Sequence, residues 1–485
     1  MKKAIIIGAG IAGIATAIRL KNKGYEVVVF EANSYAGGKL SEIEGNCYRF
    51  DAGPSLFTLP SLVEELFEIS EKNIANYFEY SRLDEVCKYF WSDETKLTAW
   101  ANPEKFAEEL ELKLDFPKDK TLSFLKQSGE NYNLLDKLFL QKSLHKLSTW
   151  LGAAAWKGYL NIPNLGLFKT MNEANETYFK NPKLTQLFNR YATYNGSDPY
   201  QTPATLNIIP HLEYNIGAFF PKKGMVSITD SLVKLAVDLG VKFYFNIKVE
   251  KIVVENKKAI GILTNSQLYK ADLVVSNMDM AATYRQLLPN QKHPERLLNQ
   301  PKSSSGIVFY WGIKKVFDEL GLHNIFFSDD YKAEFEAIFK KKTVSTDPTV
   351  YLNITSKLKK EDAPAGCENW FVLINVPANE GQDWNRIITE TKQNILEKLS
   401  KILKTDIAQL IDYEQVLDPR SIELRTSSSQ GALYGNSSNN RYATFLRHAN
   451  FSTDINNLYF VGGSVHPGGG IPLALSSAKI MSDMV

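Results

Sequence analysis

Cysteine is scarce: Cys47, Cys87 and Cys367 are the only three in 485 residues, and their spacings are unrelated. That excludes a disulfide framework and a cysteine metal set, and it suits a reducing cytosol. Apolar runs are short, and none reaches the length needed to span a bilayer. Neither sign of charge dominates. The 56 Lys and Arg against 54 Asp and Glu leave a net charge of +2, with no basic stripe interleaved with aromatics, so nucleic acid is not an expected partner. Repeats and low-complexity segments are lacking too, and the lysine clusters at 340–342 and 357–360 read as solvated loop faces. The start Met1-Lys2-Lys3 followed by apolar residues superficially resembles a signal peptide, but the glycines that follow explain it better.

What is present is a folded chain, 44% hydrophobic and 23% charged, long enough for two domains. Its aromatic share of 12% suits either large cores or a long apolar tunnel lined by rings. The first forty residues carry the sharpest pattern. Ile5-Ile6-Ile7 reads as a buried strand, Gly8-Ala9-Gly10-Ile11-Ala12-Gly13 as a turn opening a helix, and Val27-Val28-Val29-Phe30-Glu31 as a second strand ending in a carboxylate. Gly8 allows the tight turn, Gly10 the approach of a pyrophosphate, and Gly13 close packing of helix on strand. The helix start offers free N–H groups and a positive dipole end to phosphate. Glu31 stands where an acceptor can bind both ribose hydroxyls and repel a 2′-phosphate, which leaves NAD or FAD.

Gly37-Gly38-Lys39 and Asp51-Ala52-Gly53-Pro54-Ser55 lie just beyond, so a second backbone segment can approach the cofactor with a basic residue beside it. An NAD enzyme has no need of this extension. At the far end, Asn457-Leu458-Tyr459-Phe460-Val461 reads as a buried strand. It runs through Gly462-Gly463-Ser464-Val465-His466-Pro467-Gly468-Gly469-Gly470 into a helix beginning Ile471-Pro472. A helix start there can supply donors to the N1/C2 carbonyl edge of a flavin, where negative charge gathers on reduction.

With these residues in view, the chain resembles the amine-oxidase-type flavoprotein superfamily through its glycine fingerprint, Glu31 and Gly37-Gly38-Lys39. The tail from Val461 to Pro472 is similar to that of bacterial carotenoid desaturases of the phytoene-desaturase type. Arg190-Tyr191-Ala192-Thr193-Tyr194-Asn195-Gly196, Phe220-Pro221-Lys222-Lys223-Gly224-Met225 and Ala271-Asp272-Leu273-Val274-Val275-Ser276-Asn277 also look like that family. Ser303-Ser304-Ser305 to Tyr310-Trp311-Gly312, with His323-Asn324-Ile325-Phe326-Phe327, is similar to its branch acting on hydroxylated carotenoids, the 1-hydroxycarotenoid 3,4-desaturases.

The resemblance implies an α/β fold, a Rossmann-like FAD-binding domain with an interleaved α+β substrate domain. It implies FAD held by Gly8, Gly10, Ile11, Ala12, Gly13, Glu31, Gly37, Gly38, Lys39, Pro54, Ser55, Val249, Gly463, Ile471 and Pro472. Val249 would pair its backbone with adenine, which needs only a strand edge. Arg190 and Tyr191 are substrate-binding candidates, with a buried ion pair as the competing explanation. The expected partner is a hydrophobic carotenoid, with a peripheral contact at the inner face of the membrane, a cytoplasmic location, and oxygen or a quinone as electron acceptor.

The FAD-binding domain is expected over 1–85, 222–292 and 441–485, and the substrate and membrane-facing domain over 86–221 and 293–440. A strand over 240–245, a hairpin of 249–254 with 259–263, and a buried strand at 273–275 belong to the first. Residues 86–221 read as mainly helical, and 293–440 as strands with a helix near 387–403. Leu140, Leu144, Leu147 and Leu151 fall on one helical face, with Lys137, Lys142 and Lys146 nearby and Trp150 and Trp156 following. That is the pattern of an interfacial helix or of a helix packed on the core.

Desaturation removes a hydride equivalent and a proton. A cation spread over a polyene loses its proton readily, so a weak base or water suffices, and no strong acid/base pair is evident. His466 is the one candidate for proton transfer or a flavin hydrogen bond, against a structural histidine beside Pro467. Lys223 suits a solvated turn or a place beside the flavin. Ser464 stands where many amine-oxidase-type flavoproteins carry an acid, which favours the carotenoid branch. Multi-bond phytoene desaturation, carotenoid cis–trans isomerisation and an isoprenoid-binding escort module are the competing readings. No metal is expected.

Overall fold

A computed structural model describes residues 1–136, 140–151, 165–440 and 447–485. Five strands form a parallel sheet in the order Leu458–Phe460, Leu273–Ser276, Lys3–Ile7, Glu26–Phe30 and Lys242–Tyr244. Alternation along the first strand sorts its side chains. Ala4 and Ile6 face the helices Ile11–Asn22, Val226–Asp238 and Ile471–Ser482, whereas Ile5 and Ile7 face a three-stranded antiparallel sheet over residues 251–270. Both faces are covered, which is why these strands read as unbroken apolar runs. Each fully buried Ile contributes roughly 1.5–3 kcal/mol.

The expected strand at 240–245 is Lys242–Tyr244, and the hairpin is Lys251–Glu255 with Lys258–Thr264, closed by Asn256 and Lys257 at positive φ. Gln267–Lys270 adds a third strand.

The second sheet is mixed and seven-stranded, ordered Ile411–Leu417, Ser305–Ile313, Glu368–Val376, Val350–Asn353, His323–Phe326, Glu85–Phe90 and Lys96–Trp100. Its last two strands come from the stretch that reads as mainly helical, and only long-range pairing of Asn324–Phe326 with Lys88–Phe90 places them there. The helix Trp384–Leu403 covers one face, burying Ile395 and Leu399 against Trp311 and Trp370. The other face carries helices Pro103–Leu114, Lys118–Leu135, Met171–Phe179 and Pro182–Asn189. The hairpin Glu42–Gly45 with Tyr48–Asp51, assigned by sequence to the cofactor domain, packs Tyr48 and Phe50 on Val308 and Tyr310 of this second sheet. Much of the aromatic surplus fills cores: Trp311, Trp370, Trp384, Tyr191 and Tyr310 are fully buried.

The four spaced leucines do not share one helix face. Residues 141–146 are not helical; they separate Leu140, at a helix end, from the short helix Leu147–Trp150. Leu140 and Leu144 are buried, while Leu147 is 75% and Leu151 70% exposed. The chain turns because Trp150 Nε1 donates to the Leu144 carbonyl (2.8 Å) and Thr149 Oγ1 to that of Ser143 (2.6 Å). Lys137 and Trp156 lie outside the described residues. Among the described residues no helix is long and apolar enough to cross a membrane.

Candidate functional site

The first helix begins at Ile11 and Ala12 with Gly10 as an N-cap that has no side-chain cap; Asn277 takes the Gly13 N–H, which leaves those of Ile11 and Ala12 for a ligand. Gly13 cannot carry a side chain: a Cβ would lie 2.2 Å from the Gly8 carbonyl oxygen. Gly37 N–H donates to the Ala9 carbonyl (2.8 Å), and Gly10 and Gly37 form a parallel bridge. Gly37 has φ +103°, and a Cβ there would meet the Leu40 carbonyl at 2.2 Å, so this close approach depends on glycine. Gly38 then lies on Gly10.

Glu31 is buried at the end of its strand. One carboxylate oxygen accepts the Ala9 N–H (2.7 Å), the other the Asn33 N–H (2.8 Å) and side-chain amide (3.0 Å). Ile247 N–H donates to the Glu31 carbonyl (2.9 Å), which brings the segment holding Val249 alongside. Val249 itself precedes the hairpin and is buried against the sheet.

Lys39 turns its ammonium to the carbonyls of Leu433 (2.8 Å) and Ala432 (3.3 Å). Burial lowers it to about 8, partly opposed by Asp279. Burial raises the Asp279 carboxyl, which caps the short helix Met280–Ala282. Leu433 leads to Tyr434, which lies against Gly469 in the tail loop. The last helix begins at Ile471 and Pro472 with Gly470, at φ +94°, as an N-cap without a side-chain cap. A Cβ at Gly470 would meet nothing within 4 Å. Two uncapped helix starts, Glu31, Gly37-Gly38 and Lys39 thus fit a dinucleotide with a polar ring edge: donors for phosphate, an acceptor for ribose, and room at the tail loop. Ile471 contributes only backbone here, since its side chain is in the core.

Pro54 and Ser55 follow Gly53, which is pressed on the Lys39 carbonyl; Ser55 Oγ bonds the Tyr351 hydroxyl (2.7 Å). Gly463 gives its carbonyl to Arg447 (3.1 Å), and Ser464 Oγ accepts the Met280 N–H (2.9 Å). His466 is buried with Nε2 on the Lys142 carbonyl (2.9 Å). Lys223 is exposed.

Arg190 and Tyr191 stand apart from these residues, packed with Tyr89 of the seven-stranded sheet. Arg190 pairs with buried Glu213 (3.4 Å) and donates to Tyr89 (2.9 Å) and Tyr194 (3.1 Å), while Tyr191 donates to Glu213 (2.6 Å). This is the ion pair weighed against a substrate contact.

Sequence reasoning passed over Asn277 and Arg447. Asn277 accepts the Gly13 N–H (3.0 Å) and donates to the Val461 carbonyl (3.2 Å), fastening the glycine turn to the tail strand. Its position directly after the strand Leu273–Ser276 was the available signal. Arg447 had none, because its partners are scattered along the chain. Among the described residues no group of three or more His, Cys, Asp or Glu is placed to hold a metal.

The family model for flavin-containing amine oxidoreductases matches residues 11–485. Over 485 residues the chain is 53% identical to a 1-hydroxycarotenoid 3,4-desaturase of Flavobacterium sp. (strain P99-3), covering 100% of this chain and 99% of that protein. It is 30% identical to a 4,4'-diapolycopene oxygenase of Methylomonas sp, covering 100% and 98%. Among solved structures, an oxidoreductase from Methanosarcina mazei aligns with a TM-score of 0.64 at 16% identity over 99% of each chain, a likeness of fold.

Proposed function

The chain belongs to the flavin-containing amine oxidoreductases, and on that premise we propose that it is an FAD-dependent carotenoid desaturase forming the 3,4 double bond of a 1-hydroxycarotenoid. The observation that carries this reading is end-to-end identity of 53% with a desaturase of that name, against 30% with a carotenoid oxygenase. FAD as the form of the flavin is supported by the pairing of an uncapped helix start with Glu31, since a dinucleotide uses both a phosphate site and a ribose acceptor.

Bound FAD supplies the acceptor for a hydride equivalent. The chain's own residues bind and orient. The Ile11 and Ala12 end of the first helix would hold the pyrophosphate, Glu31 the ribose, and Lys39 with the Gly470 end of the last helix the polar ring edge. A polyene-stabilised cation on the substrate needs only a weak base, so no strong acid or base is required of the protein.

The substrate is dissolved in lipid. Exposed Leu147, Leu151 and Phe168 flank residues 152–164 and offer an apolar contact to a bilayer surface. We read the protein as cytoplasmic and peripherally bound at the inner face, with oxygen or a quinone reoxidising the flavin.

The test is anaerobic incubation of yellow, purified protein with a 1-hydroxycarotenoid. The expected result is a red-shifted polyene spectrum with one added double bond and bleaching of the flavin band. Altered cis/trans geometry at constant conjugation would identify an isomerase, a product gaining oxygen only in air an oxygenase, and folded protein without flavin an escort module.

A further inference from the structure

Arg447 is 2% exposed and has no ion pair among the described residues. The other well-buried arginines are compensated: Arg19 pairs with Glu65, Arg190 with Glu213, and Arg49 with Asp51 and Asp362. Lys39 faces Asp279. Every partner that Arg447 has among the described residues is neutral. Nη1 donates to the carbonyls of Tyr434 (2.9 Å) and Gly463 (3.1 Å). Nη2 donates to Asn195 Oδ1 (3.2 Å), the Asn436 carbonyl (3.2 Å) and Ser438 Oγ (3.5 Å). The neighbouring imidazoles are held neutral and add no charge of either sign: burial lowers His145, and lowers His448 to about 4.

A guanidinium taken out of water without a counter-charge costs free energy that neutral acceptors offset only in part. Its position suggests what offsets the remainder. The guanidinium lies beneath the tail loop, where a Cβ at Gly468 would stand 3.5 Å from Cζ. That loop opens the last helix, whose uncapped start at Gly470 presents a second positive end beside open space.

We propose that Arg447 is an electrostatic positioning residue that raises the reduction potential of the bound flavin by opposing the negative charge reduction creates. The balance is simple. A substrate carbon gives up a hydride, which carries two electrons and one hydrogen to the flavin. The adjacent carbon releases a proton to solvent, and the flavin edge gains one negative charge. A fixed, desolvated cation under the loop lowers the energy of that charge without moving. Arg447 is thus poorly compensated in the oxidised protein and better compensated in the reduced one.

The proposal rests on the flavin of the preceding reading and not on its carotenoid, since a potential is measured without substrate. In Arg447→Gln holoprotein, the equilibrium constant for two-electron reduction should fall about tenfold or more, which is ~30 mV in midpoint potential. Asn195→Asp keeps the guanidinium and sets a carboxylate on Nη2. It should lower the potential in the same direction and raise the melting temperature of the apoprotein. Arg447→Lys, which retains the charge, should recover most of the potential.

A wild-type potential in either charge-altering variant overturns the proposal. So does an Asn195→Asp apoprotein no more stable than wild type, because the cation would then have been compensated already. If Arg447→Gln fails to fold, Asn195→Asp carries the decision. A protein that takes up no flavin overturns both readings, whereas a flavoprotein inert towards carotenoids leaves only the substrate in error.

Discussion

The Glu31 carboxylate accepts the Ala9 N–H at 2.7 Å, tying the acid at the end of the second strand to the glycine turn after the first. Asn33 holds the second oxygen, so the acceptor is oriented before a ribose arrives. Glu31→Ala removes that acceptor and leaves the Ala9 N–H unpaired, at a cost of about 1–3 kcal/mol. Flavin retained per chain after dialysis, read from the visible absorption band, should fall about tenfold or more, for which 1.4 kcal/mol suffices. Glu31→Gln should lose less. Unchanged flavin content in the Ala variant would remove the ribose role.

The pair Arg190–Glu213 makes a different prediction. Both side chains are buried, and three tyrosine hydroxyls complete the cluster. Arg190→Met strands a buried carboxylate and should destabilise the fold by about 3–5 kcal/mol in urea or thermal unfolding. Arg190→Met with Glu213→Gln should recover most of that loss. A residue that instead gripped substrate would lower kcat/KM while leaving the unfolding transition where it was.

These two cases mark what could be read in advance. The glycine turn, Glu31 and the tail loop follow local rules, a strand, a tight turn and a helix start, and each is visible within a dozen residues. Strand Glu85–Phe90 was missed because its place comes from pairing with residues more than two hundred positions away, and Lys96–Trp100 joins the sheet only as its antiparallel neighbour. The leucine periodicity misled for a related reason. A 3.6-residue spacing marks a helix only if the backbone continues, and here Trp150 and Thr149 bond back to Leu144 and Ser143 and break the segment. Lys39 was legible as a basic residue after the second glycine pair, but its carbonyl partners at 432 and 433 were not.

Lys39 also sets a pH dependence. Burial brings its ammonium to about 8, against 10.5 for an unperturbed lysine. Below pH 8 both folded and unfolded chains carry the charge, and the folded chain bears the full cost of burying it. Between pH 8 and 10.5 the unfolded chain binds more protons, so this group makes stability rise with pH through that window and level off above it. The unfolding free energy of wild-type apoprotein, minus that of Lys39→Met, should therefore rise by on the order of 3 kcal/mol across the window. A flat difference would mean that the ammonium is better compensated than its burial implies.

The segment 140–151 divides its leucines between two environments, and the division decides how membrane contact is to be tested. Leu140 and Leu144 are buried, and His466 Nε2 on the Lys142 carbonyl pins this inner half to the tail loop. Leu147 and Leu151 project outward with Lys146 beside them, the composition that suits an interface of apolar chains and anionic headgroups. Each leucine moved from water into the acyl boundary contributes roughly 1.5–3 kcal/mol. Leu147→Glu with Leu151→Glu should thus reduce partition onto anionic liposomes at least about tenfold in flotation, with unfolding unaltered. Leu144→Glu should instead destabilise the fold, because its charge would be buried against protein. Equal flotation of wild type and the outer double variant would exclude this face as the anchor.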